Sequence, residues 1–134
     1  MRKIIPVLLL TLAFGVFMQI KAQAKQTAVI QINQQKTLSK SKLTIKFSSL
    51  IEDSRCPTDV QCIQAGNARI KIDVKKSGGK AWETFEINTN SEPQAIKFAG
   101  YTINLTALNP APASNIRINR NGYKATFTVH KTGK

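Results

Sequence analysis

From Ala28 onward the apolar positions of this chain recur every second residue, and no stretch keeps a helical period over three turns. Ala28, Ile30 and Ile32 open the pattern, with Val29 and Gln31 between them. Leu43, Ile45 and Phe47 then alternate with Lys42, Thr44, Lys46 and Ser48, and Ala68, Ile70, Ile72 and Val74 with Arg69, Lys71, Asp73 and Lys75. Strict alternation places one set of side chains on each face of a strand, one dry and one wet. Further strands are predicted around Phe85 and Ile87, over Ala95 to Ala99 and Tyr101 to Leu105, as a short edge piece at Ile116 and Ile118, and over Tyr123 to Val129.

The breaks between these runs carry turn chemistry. Gly78-Gly79 supplies the positive φ of a tight hairpin, making residues 71 to 87 two paired strands. Gly100 marks a turn or a bulge, and Pro110 and Pro112 end a strand because neither can donate to a ladder. Seven or eight short strands with such connections predict an all-β domain, a small antiparallel sandwich or barrel. Tyr123, following Asn121-Gly122, resembles the tyrosine that caps a sandwich corner, although Ala125 stands where an immunoglobulin domain carries its second cysteine.

The first 24 residues read differently. Arg2 and Lys3 precede an apolar run from Ile4 to Met18, and Ala22-Gln23-Ala24 offers small residues where a signal peptidase reads them. An uncleaved anchor is the competing reading, since Ile4 to Ile20 approaches spanning length, but Pro6, Gly15 and the Ala-x-Ala site favour cleavage after Ala24. Residues 25 to 134 are then one exported domain, periplasmic or secreted, without a stable membrane anchor and expected to be a monomer. Of 20 basic residues the leader removes three, leaving 17 against 7 acids and a net charge of +10. Such an excess attracts anionic envelope components. The lysines are scattered, however, and aromatic residues are not interleaved with them, so nucleic acid is not the expected partner.

Export gives the two cysteines their meaning. Cys56 and Cys62 flank Pro57-Thr58-Asp59-Val60-Gln61, and in an oxidising compartment they are expected to close a disulfide ring worth about 2 kcal/mol. Five intervening residues do not fit a redox dithiol, and one histidine with two cysteines does not make a zinc site. Asp53, Arg55, Pro57 and Asp59 form the candidate interaction loop. Pro57 stiffens the ring, Gly66 bends the chain into the next strand, and Arg55 is the residue a trypsin-like protease would receive if the loop were an inhibitor.

The run Asp53-Ser54-Arg55-Cys56-Pro57, with Val60-x-Cys62 and Ala65-Gly66-x-Ala68, resembles the signature of a family of small exported bacterial domains of unassigned function. Gly100-Tyr101-x-Ile103-x-Leu105, Pro110-Ala111-Pro112 and Tyr123-x-Ala125 are similar to the same pattern. Members often carry an aromatic residue after the second cysteine, where this chain has Gln64 nearby. The resemblance implies a β-rich exported fold and no particular activity.

Catalytic constellations are thin. The sole histidine, His130, falls on the polar register of the last strand, Glu83 and Glu86 differ in strand parity, and no phosphate-binding glycine motif is present. Trp82 and Tyr101 would be the residues of a sugar-stacking platform or, more ordinarily, half-buried aromatics. The expectation is a non-enzymatic binding or structural module without cofactor or metal, its partner a protein or a cell-envelope component.

Overall fold

A computed structural model describes residues 24 to 133; the leader reading lies outside the described residues apart from Ala24. Eight strands form two four-stranded antiparallel sheets. They are β1 (Gln26–Gln31), β2 (Gln35–Leu38), β3 (Leu43–Asp53), β4 (Ala68–Lys76), β5 (Glu83–Asn88), β6 (Ala95–Phe98), β7 (Tyr101–Asn109) and β8 (Lys124–Lys131). One sheet has the order β2-β3-β4-β5, a simple meander. The other runs β1-β8-β7-β6. Among the described residues no helix is long and apolar enough to cross a membrane.

The alternation read from the sequence is largely the alternation of burial, although Thr44 of β3 and Thr128 of β8, expected on the wet face, are buried as well. Ala68, Ile70, Ile72 and Val74 of β4 are fully buried, as are Leu43, Ile45 and Phe47 of β3, and they face Ala125, Phe127 and Val129 of β8 and Ile103 of β7. Each large aliphatic side chain removed from water in this way contributes about 1.5 to 3 kcal/mol. The core is therefore the shared interior of two sheets, with little left over at the ends. Phe85 and Phe98 meet edge to face, 6.1 Å between centroids, where the β5 and β6 edges approach.

Two crossings join the sheets. Between β1 and β2 the chain turns through Asn33 at φ 68°, with the Ile32 amide donating to Tyr123 O and the Asn33 amide to Phe47 O. Between β5 and β6, the Asn88 amide donates to Pro93 O and the Leu105 amide to Gln94 O.

Several expectations are corrected. β2 replaces the edge piece expected at Ile116 and Ile118, where only an isolated bridge between Ala113 and Ile116 forms. The β4–β5 connection is longer than a tight Gly-Gly hairpin: Val74 pairs with Glu83, so Trp82 precedes the strand. Of the two readings offered for Gly100 the turn is the one found, since Phe98 pairs with Tyr101 across Ala99 and Gly100, both at positive φ. The bulge in β7 lies instead between Leu105 and Ala107.

Candidate functional site

Both cysteines sit at the end of the sandwich where β3 leaves its sheet. The disulfide Cys56–Cys62 is formed, with Cα atoms 5.9 Å apart. Below it the connection is a narrow ribbon: the Ser54 amide and hydroxyl both donate to Asn67 O, and the Cys56 amide donates to Ala65 O at 2.9 Å. Gly66 makes this possible. It adopts φ +69°, and a Cβ there would fall well inside contact distance of the Ser54 carbonyl oxygen.

Arg55 does not face a partner. Its side chain is 12% exposed, and its guanidinium grips Asp53 in a fork, Nε to Oδ1 at 2.8 Å and Nη2 to Oδ2 at 2.7 Å. The same group donates to Leu108 O at 2.6 Å and to Pro110 O at 2.9 Å. Tyr123 completes the cluster by donating its hydroxyl to Asp53 Oδ2 at 3.0 Å. Asp53 closes β3 in one sheet, while Leu108 lies on β7 of the other. The planar guanidinium thus straps the two sheets together at this end, a geometry that suits arginine and not lysine. Tyr123 does cap a corner, but against the Asp53 carboxylate and not against upstream backbone.

Charge and hydrogen bonding follow from this placement. Burial works against ionisation of Asp53, but the Arg55 hydrogen bonds and charge, with the Tyr123 hydroxyl, outweigh it and hold the carboxyl below its ordinary 3.8. Tyr123 moves the other way, raised above 10.0 by burial and by its bond to the Asp53 anion. A depressed carboxyl stabilises the fold above the unfolded-state value, and that stabilisation is lost as pH falls through the folded one. The raised tyrosine contributes below pH 10 and loses that contribution as pH climbs through its folded value. Thermal midpoints should therefore drop below about pH 4, and Asp53→Asn, already less stable at neutral pH, should show a flatter acid limb in the same melts.

The ring itself is clamped to the β7–β8 connection. The Thr58 amide donates to Pro112 O at 2.9 Å, and Asp59 accepts from both the Ser114 amide at 2.9 Å and the Ser114 hydroxyl. Those bonds hold the exposed Asp59 carboxyl below its ordinary value. Pro57 is half-buried, and its carbonyl accepts from the Val60 amide, closing a turn within the ring. On the far side, Asn67 accepts at Oδ1 from the amides of Asn90 and Ser91, while Asn90 donates through its side chain to Gly66 O at 2.7 Å. Of the four candidate interaction residues, Asp53 and Arg55 are spent on the strap and Asp59 on the clamp. Facing solvent beside the polar Thr58, Gln61 and Gln64 are two aliphatic side chains: Ile63 is fully exposed and Val60 is 47% exposed. Sequence reasoning missed both. The only signal was two β-branched aliphatics, Val60 inside the ring and Ile63 just after it, among mostly polar residues.

Replacing both cysteines by serine should cost about 2 kcal/mol of unfolding free energy with the sheets retained. Urea unfolding followed by far-UV circular dichroism checks this; an unchanged midpoint would mean that the ring adds nothing the strap and clamp do not already supply.

Comparison of the chain with protein-family models, with curated proteins and with solved structures finds no match.

Proposed function

We propose that this protein is an exported, non-enzymatic binding module that presents the tip of the stapled loop, Val60 and Ile63, to a protein partner. The observation that carries the reading is the exposure of these two side chains on a loop fixed by a disulfide, the Arg55 strap and the Asp59 clamp. An aliphatic side chain held in water by a rigid backbone has little conformational entropy left to lose on binding, so its burial goes more fully into affinity. The export leader and the disulfide agree on an oxidising compartment.

The inhibitor version of this reading, with Arg55 entering a protease, is not the one proposed. Releasing Arg55 would strip the Asp53 carboxylate and two carbonyls of their guanidinium donors. The test is capture of a partner from envelope and secreted protein by the oxidised domain, beside a Val60→Ser, Ile63→Ser variant. A partner kept by the native loop and lost by the variant is the expected result. A partner held equally by both would remove the loop tip from the binding surface.

A further inference from the structure

The lysines look scattered only along the sequence. In an antiparallel meander every second connection returns to the same end of the sheet, and here the returning connections are the basic ones. Lys40 and Lys42 lie in the β2–β3 turn, Lys76 at the end of β4, Lys80 in the β4–β5 connection, Lys131 at the end of β8 and Lys25 just before β1, and all six are exposed. Hydrogen bonds join these turns: the Ser77 amide donates to Lys42 O at 2.8 Å, the Ser41 amide to Gln26 Oε1 at 3.1 Å, and the Thr132 amide to Gly100 O at 2.8 Å. The one acid at this end is Glu83. Of the seven acids of the chain, Glu52, Asp53, Asp59 and Glu92 lie at the opposite end with the cysteine loop.

Beside these turns, where β5 approaches β6, is a mainly apolar cleft of about 400 Å³ lined by Ala81, Trp82, Phe98, Lys76, Lys80 and Glu83. Trp82 is 40% exposed, and the Lys75 ammonium sits 4.5 Å from its ring centroid. We propose that this end of the sandwich docks on an anionic lipid surface, with Trp82 at the headgroup level and the surrounding lysines on the phosphates. Two observations converge on that occupant. Lysines beside a mainly apolar cleft match a surface that is anionic outside and hydrocarbon beneath, whereas a soluble polyanion offers nothing to the cleft. Tryptophan is the side chain that favours the bilayer interface, one end apolar and the other wet. The stapled loop then points away from the membrane.

Trp82 is the only tryptophan, so intrinsic emission reports on this one position. Every described strand and core residue lies between Gln26 and Lys131, so the chain from Lys25 carries the whole fold and is the unit to test. Mixed with vesicles containing about a third phosphatidylglycerol, which carry the negative surface potential that attracts lysines, it should bind with a blue shift in emission and quenching by brominated acyl chains. Zwitterionic vesicles should give neither. Each lysine near such a surface is worth about fivefold in partitioning, so Lys42→Gln, Lys76→Gln and Lys80→Gln together should weaken binding on the order of a hundredfold. Arg117→Gln, Arg120→Gln and Lys124→Gln remove the same charge at the other end and should change it by less than about threefold. The proposal is overturned by absent binding to anionic vesicles, by equal loss in both triple variants, by binding that leaves Trp82 emission unchanged, or by capture of a soluble sulfated glycan without vesicle binding. All six positions are exposed, so unchanged urea midpoints establish that the variants are folded.

Discussion

Arg55→Ala should lower the unfolding free energy by about 3 kcal/mol, the lower end of the cost of breaking a buried ion pair, since a little of the guanidinium reaches water. The substitution deletes four side-chain hydrogen bonds at once. It leaves Asp53 with only the Tyr123 hydroxyl and the Arg55 amide as donors, and the carbonyls of Leu108 and Pro110 with none from the side chain. Arg55→Lys should recover less than half of the loss, because an ammonium cannot fork onto the carboxylate and reach two carbonyls together. Were Arg55 a solvent-facing contact residue, replacement by alanine would stay within about 0.5 kcal/mol of the native protein. Urea unfolding separates the two cases, provided the denaturant slope is unchanged.

Gly66→Ala should cost about 2 to 4 kcal/mol, from two sources that add. A left-handed backbone is strained by about 1 to 2 kcal/mol for an alanine, and the new methyl meets the Ser54 carbonyl, a backbone atom that cannot step aside without breaking the 54–67 ribbon. Gly78→Ala is the control. That glycine has a similar φ, +80°, but nothing within 4 Å of the added carbon, so only the conformational part applies. Thermal melts of the two variants side by side isolate the clash; equal losses would mean that the ribbon yields without cost.

How far the sequence reveals this structure depends on how local the cause is. β4 and β8 are legible because the apolar face of each is dry, and in β4 the period of two survives intact. β2 is hidden, as Gln35, Lys36 and Thr37 are exposed and Leu38 alone reaches the core. β3 runs on to Asp53 past the point where alternation fails, because irregularities at Phe47/Ser49 and Leu50/Glu52 reset which residues face inward. The disulfide follows from address and spacing. The role of Arg55 does not: its neighbour Asp53 is visible in the sequence, but Leu108 and Pro110 lie more than fifty residues away. The Asp59 clamp onto Ser114 is hidden for the same reason. The lysine-rich end of the sandwich falls between these cases, since it emerges once the strands are known to form a meander.

The most direct test of the strap and clamp as the devices that fix the loop is amide hydrogen exchange on the oxidised chain. The amides of Cys56, Thr58 and Ser114, each bonded across the loop, should exchange more slowly than those of Gln61 and Ile63 at its exposed tip. In Arg55→Ala they should lose that protection, while the core amides of β4 and β7 remain the slowest in the molecule. Fast exchange at all three amides in the native protein, or rates that Arg55→Ala leaves untouched, would contradict a loop held rigid from within.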